Sequence, residues 1–187
     1  MEANCFLSLG SNLGNRVENL IAAVEALASD PRCRLLAAAD LFETAPVGGP
    51  VQQGLYFNTV VALRTAMPPL DLLNFGLGIE QRLGRRRTVA NGPRVIDIDL
   101  LLYDDLVCDS PALVLPHPRM HLRRFVLEPL MQVDAERIHP TLKQTSAQLL
   151  AAMVPGEFRR QRCVRVDHSA WTGRVRSLFV CRGDSAA

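Results

Sequence analysis

Val95-Ile96-Asp97-Ile98-Asp99-Leu100-Leu101-Leu102-Tyr103 is the strongest strand pattern in the chain. β-Branched and apolar residues fill it, as suits a pleated and largely buried segment. In a strand, residues i and i+2 project from the same face. Asp97 and Asp99 therefore stand side by side, with Ile98 turned the other way toward a core. Two like charges so placed repel each other, so removing either acid is expected to hold stability or raise it slightly. Hard carboxylate oxygens at this spacing suit Mg²⁺, as a pair of ions about 4 Å apart. Simple alternation on a half-exposed strand is the competing reading.

Just upstream lies a basic loop, Arg85-Arg86-Arg87 followed by Gly92-Pro93-Arg94. Guanidinium groups next to paired carboxylates are what phosphoryl transfer needs, because that chemistry asks for charge neutralisation and little covalent work. A solvated surface loop is the alternative for a charge run alone. The loop from Arg85 to Asn91 is expected to order when phosphate oxygens replace water around its arginines.

Outward from this strand the elements follow in a definite order. Cys5 to Leu9 reads as a strand and Gly10 to Asn15 as a loop. Val17, Leu20, Ile21, Val24 and Leu27 recur at helical spacing, with Asn15 as the N-cap and Asp30-Pro31 as the stop. Cys33 to Thr44 reads as a second strand with an Ala-rich centre. A Gly/Pro loop, Ala45 to Leu55, leads to a third strand, Phe57 to Thr65. Pro68-Pro69 opens a helix that Gly84 closes. The order β-α-β-β-α-β predicts an α+β, ferredoxin-like fold with helices on one face of a mainly antiparallel sheet. Shorter helices are expected near Phe125–Val133 and Thr145–Met153. Beyond Pro155 the sequence is Arg-rich and loses its periodicity. Residues 1–155 are read as one domain, and 156–187 as a C-terminal extension packed on it.

Composition narrows the function. Hydrophobic residues make up 48% of the 187 and charged residues 21%, which suits a globular domain. A net charge of +2 gives no support for a nucleic-acid or membrane partner. Arg greatly outnumbers Lys, and Arg is the better fork for phosphate oxygens. Cys5, Cys33, Cys108, Cys163 and Cys181 form no C-x-x-C pair, which argues against a disulfide framework or a zinc site. The N-terminus shows no signal-peptide pattern, and no apolar run approaches the ~20 residues of a membrane span. A cytoplasmic monomer is expected.

Two further groups carry chemistry. Tyr56 and Asn58 share a strand face beside the Gly/Pro loop, and an aromatic plus an amide suits a flat, hydrogen-bonding heterocycle. Taken alone, a core Tyr and a turn Asn are the better explanation. Pro116-His117-Pro118-Arg119-Met120-His121-Leu122-Arg123-Arg124-Phe125 gathers imidazole, guanidinium and aromatic groups in one loop. Gly10-Ser11-Asn12-Leu13-Gly14 invites comparison with phosphate loops but lacks the G-K-[ST] ending, so it is read as a structural turn.

Taken together, these segments resemble the 6-hydroxymethyl-7,8-dihydropterin pyrophosphokinase family. The resemblance runs through Ser8 to Gly14, Glu43 to Pro46, Tyr56 to Asn58, Ile79 to Arg85, Gly92 to Leu101, and Leu115 to Pro118 with Arg123 and Phe125. It implies transfer of pyrophosphate from ATP to the pterin hydroxymethyl group in folate biosynthesis, with two Mg²⁺ ions on Asp97 and Asp99. It implies a pterin sandwiched by Tyr56 and Phe125, hydrogen-bonded by Asn58 and enclosed near Thr44 and Val47. It implies ATP contacts from Glu80, Arg85, Arg87, Arg94, His117 and Arg123, with Arg85, Arg87 and Arg94 also serving the transfer step. Ala90-Asn91 stand where the family commonly has Arg-Trp, removing one cation and one aromatic from the loop. A polymerase-β-type nucleotidyltransferase and a non-catalytic binder of pterin or nucleotide are the rival readings.

Overall fold

The computed structural model describes residues 2–50, 52–86 and 92–180. In chain order these form β1 (Ala3–Ser11), α1 (Arg16–Ser29), β2 (Cys33–Ala38), β3 (Leu41–Thr44), β4 (Tyr56–Thr65), α2 (Pro69–Arg82) and β5 (Asp97–Tyr103). There follow a small hairpin of β6 (Cys108–Asp109) and β7 (Val114–Leu115), a 3-10 turn at Met120–Leu122, α3 (Arg124–Val133) and α4 (Ser146–Ala151). The chain continues with α5 (Pro155–Arg160), β8 (Cys163–Val166) and α6 (Ser169–Val180).

The main sheet runs β5-β1-β4-β3-β8, with β2 also paired to β4, and its pairings are antiparallel. This is the ferredoxin-like arrangement predicted from element order. The predicted second strand is broken, however. β2 pairs with the C-terminal half of β4 and β3 with its N-terminal half. At the break, the Ala39 carbonyl accepts from Thr59 Oγ1 at 3.1 Å and from Trp171 Nε1 at 3.1 Å. Side chains from elsewhere in the fold thus replace the ladder where the Ala-rich centre has little to pack.

Helices cover both faces of the sheet, not one as expected. On the first face Cys5, Leu7, Leu9 and Ile98 pack with Leu20 and Val24 of α1 and with Leu72 and Ile79 of α2. On the second, Phe6, Val60 and Leu102 pack with Val126 and Leu130 of α3. With both faces covered, β1 is buried at every position but Asn4. The caps follow the sequence: Asn15 Oδ1 accepts from Glu18 N at the start of α1, and Thr145 with Gln148 forms a capping box on α4. Gly76, unfavourable within a helix, sits where α2 meets β5. A Cβ there would come within 3.3 Å of Ile98 Cγ2, so the glycine sets how closely α2 approaches the strand.

As far as Val180 the Arg-rich tail forms a strand and helices. β8 pairs with β3, and α6 lies against α1, where Arg174 bonds Glu18 at 2.7 Å and Glu25 at 2.7 Å. Trp171 and Val175, one helical turn apart, are buried in the first core. Cys5, Cys33 and Cys163 carry buried thiols and Cys108 a half-buried one, while Cys181 lies outside the described residues. Among the described residues, no helix is long and apolar enough to cross a membrane.

Trp171→Phe removes the bond to Ala39 and part of the buried ring volume. It is expected to cost about 1–3 kcal/mol from the lost hydrogen bond and the cavity left behind. The check is urea unfolding, where the midpoint should fall at constant slope.

Candidate active site

Strand register assembles the site. Gly10 of β1 lies opposite Asn58 on β4 and opposite Asp97 on β5, and Ser8 lies opposite Asp99. Directly paired residues share a face, so Asn58, Gly10 and Asp97 form one row across three strands on the α3 face of the sheet. Asn58 and Asp97 are then about 10 Å apart along the backbone, two strand spacings. Between them is a residue with no side chain, and the Asn58 amide leans over it into a cavity that Ser8 and Gly10 help to line.

The cavity is open to solvent, and its empty volume, open mouth included, is about 560 Å³. One wall is the strand end and loop from Thr44 to Gly48; another is Arg123 and Phe125 at the start of α3; Asp97, Asp99 and Arg94 close the far side. Tyr56 lies on the same face as Asn58 and opposite Thr44. The Tyr56 hydroxyl donates to Gln53 Oε1 at 3.2 Å and Gly92 O at 3.4 Å, and burial pushes its pKa up. Val47 forms the exposed rim.

Asn58 is nearly inaccessible at 5% exposure and is fixed on two sides. Its Nδ2 donates to Thr44 Oγ1 at 2.6 Å. A Cβ on Gly10 would come within 2.5 Å of its Oδ1, so the amide occupies the volume that glycine leaves. The sequence reading placed Gly10-Ser11 in a loop, whereas both end β1. Ser11 is buried and its Oγ accepts from Asn19 Nδ2 at 3.2 Å, which agrees with a structural role for this segment and not a phosphate loop. Asn12 is a clamp that sequence reasoning missed. Its Oδ1 accepts from Arg94 N at 2.7 Å and its Nδ2 donates to Gly54 O at 3.3 Å, tying the basic loop to the Gly/Pro loop.

The two acids sit in different surroundings. Arg85 Nη1 donates to Asp97 Oδ1, and Arg94 Nη1 donates to Asp97 Oδ2 at 2.6 Å. Asp99 is approached more loosely, by Arg123 Nη1 at 3.4 Å and His117 Nε2 at 3.9 Å. Burial raises the Asp99 pKa, with the Asp97 charge adding to it, while Arg123 pulls it back. Burial holds His117 down to about 4, helped by Arg123 and Arg119. The expectation that either acid could be removed without loss of stability is therefore corrected for Asp97. That carboxylate compensates two half-buried guanidinium groups, and its removal leaves them short of a partner.

Glu80 does not line this cavity. It is 2% exposed on α2, and its Oε1 accepts from Ile98 N at 2.7 Å and from Arg85 Nη1. Burial raises its pKa against the opposing pull of the Ile98 N–H and Arg85. Glu80 thus orients Arg85 toward Asp97 from behind. Arg85 is anchored without ligand, contrary to the expectation for its loop. Arg87 and the Ala90-Asn91 pair lie outside the described residues. His117 opens onto a neighbouring groove with Leu115, Pro116 and Pro118, and its imidazole reaches back toward Asp99.

Over residues 6–135 the sequence matches the family described as 7,8-dihydro-6-hydroxymethylpterin-pyrophosphokinase. The chain belongs to that family. It is 39% identical over 155 residues to the 2-amino-4-hydroxy-6-hydroxymethyldihydropteridine pyrophosphokinase of Methylorubrum extorquens, covering 83% of this chain and 96% of that one. It is 37% identical over 139 residues to the folic acid synthesis protein fol1 of Schizosaccharomyces pombe, covering 74% of this chain but 19% of that longer protein. Among solved structures, the HPPK-DHPS of Plasmodium falciparum with pteroate shares the fold, with a TM-score of 0.65 at 15% identity over 81% of this chain and 42% of that one. The chain therefore spans about a fifth of the fol1 protein and under half of that solved structure.

Gly10→Ala should displace the Asn58 amide and break its bond to Thr44. The expected cost is about 1–3 kcal/mol from overpacking, with the fold retained. The side-chain amide signals of Asn58 by NMR should shift; unchanged signals together with an unchanged melting temperature would refute the close approach.

Proposed function

We propose that this chain transfers the pyrophosphoryl group of ATP to the hydroxymethyl oxygen of 6-hydroxymethyl-7,8-dihydropterin, releasing AMP. One observation carries the proposal: a buried amide and two aromatic residues share one cavity with paired carboxylates and arginines. Family membership supports the same reading. The chemistry divides along the cavity. Tyr56 and Phe125 offer ring faces to the flat pterin. With its Nδ2 tied to Thr44, Asn58 presents Oδ1 as an acceptor for the heterocycle's N–H groups. The loop through Val47 screens the ring from water.

At the other end the residues serve charge. Asp97 and Asp99 are a hard-oxygen pair on one strand face, and this donor set fits Mg²⁺. Among the described residues, no cluster of three or more His, Cys, Asp or Glu could hold a metal, so phosphate oxygens and water would fill the remaining positions of two ions. When bound, the ions would offset the phosphate charge and polarise the P–O bonds. Arg85, Arg94 and Arg123 already face this region and would bind the phosphate oxygens; His117 lies beside them. Arg87 is assigned to the same role from the resemblance. The pterin hydroxyl oxygen attacks the β-phosphorus, the bond from the β-phosphorus to the oxygen bridging it to the α-phosphorus breaks, and AMP leaves with that oxygen. The hydroxyl proton leaves to solvent.

The test is product identity with ATP, Mg²⁺ and the hydroxymethyl pterin. AMP is expected; release of pyrophosphate, or no turnover, would overturn the reading. Asp97→Asn and Asp99→Asn should each reduce AMP formation to background. Full activity in either variant would remove that acid from the metal site.

Tyr56→Ala should weaken pterin binding by about 1–3 kcal/mol, the value of a stacked base on an aromatic ring, and leave ATP affinity unchanged. Calorimetric titration with each ligand separates the two. Equal losses for both would place Tyr56 in the scaffold.

A further inference from the structure

Past residue 135, where the family match ends, one side chain reaches back to the cavity wall. Gln161, directly after α5, is buried at 7% exposure. Its Oε1 accepts from Arg124 N at 2.8 Å and its Nε2 donates to Leu122 O at 2.9 Å. The two bonds fall on either side of Arg123.

The first N–H groups of a helix have no acceptor within the helix. A short polar side chain at the N-cap normally supplies one. At α3 the N-cap residue is Arg123, which has no acceptor atom and makes no side-chain cap bond. Its guanidinium turns instead to Asp99 Oδ2 at 3.4 Å. Gln161 supplies an acceptor to the first of these N–H groups, that of Arg124, one position before those an N-cap side chain normally reaches. Arg124 strengthens the join from its own side: its Nη1 donates to Phe158 O at 3.2 Å, and its guanidinium stacks 3.7 Å over the Phe158 ring.

Arg123 and Phe125, the neighbours of Arg124, both line the cavity. Any rotation of the first turn of α3 would move both. The opposite wall is tied to the same stretch of tail. Arg162 O accepts from Ala45 N at 3.2 Å, and Cys163 pairs with Thr44. Two adjacent residues, Gln161 and Arg162, thus hold the two sides of one pocket at a fixed separation.

We infer that Gln161 is a positioning residue, capping α3 in place of Arg123 so that Arg123 faces Asp99 and Phe125 stays against the pterin pocket. The inference rests on the activity proposed above and gives the tail a part in it. An amide is the group the place requires, because it offers one acceptor and one donor on a single planar head. Leucine offers neither, and glutamate offers only the acceptor.

The test uses the full chain and three variants. Gln161→Leu should lower kcat/KM by about 10- to 100-fold, the scale of a small misplacement of binding groups, mainly through a higher KM for the pterin. Gln161→Glu, of nearly the same size, should fall between this and wild type. Trp171→Phe lowers stability elsewhere in the tail and should keep wild-type KM values. Amide exchange should speed up over Leu122–Val126 in Gln161→Leu. Wild-type KM values with unchanged exchange there would overturn the inference, as would a KM shift of equal size in Trp171→Phe. If the wild-type chain forms no AMP, the proposed activity fails, while exchange over Leu122–Val126 still decides whether Gln161 clamps the turn.

Discussion

The Asp97 carboxylate lies between two guanidinium groups, and the site is organised around that contact. A buried or half-buried charge is costly unless paired, and each partner here is itself held. Arg94 is fixed through its backbone by Asn12, directly after β1. Arg85 is fixed by Glu80, which also bonds the backbone of Ile98. Helix α2, strand β1 and the basic loop therefore converge on one oxygen pair at the start of β5. The cations that a polyphosphate would attract are in position before it arrives, so binding need order less of the protein.

The sheet supplies the complementary half of this economy by leaving something out. Gly10 interrupts a row of side chains between Asn58 and Asp97, and the Asn58 amide leans into the interruption. A heterocycle seated in the pocket would meet that amide with its polar edge and turn its substituent toward the acids. The β1–β4–β5 register thus fixes the distance over which transfer would occur.

Much of this was legible in the sequence. The Ile-Asp-Ile-Asp run at the start of β5 revealed the Asp97/Asp99 face, and element order revealed the fold. What was hidden depends on contacts between distant segments. Ala37-Ala38-Ala39-Asp40 carries no local sign of a break, because the break is stabilised by Thr59 and Trp171. Gly10 looks like a turn residue until three strands are in register. Glu80 is readable as an acid near arginines, but its burial follows from the packing of α2 on β5. The second helical layer was missed because α3 is short and its apolar face gives no hint of which side of the sheet it covers. The tail was illegible because α6 anchors through little more than Trp171 and Val175, too few for a periodic signal.

The pairing of β8 with β3 also bears on solubility. Without β8, β3 would end the sheet and present unpaired backbone groups beside the mouth of the pocket, a template for another chain. With β8 in place the sheet ends on a four-residue strand bearing Arg165, next to Arg162. A short margin with positive charge discourages the edge-to-edge stacking from which aggregates grow. The same segment that steadies the pocket thereby moves the sheet's most adhesive border away from the opening through which ligands must pass.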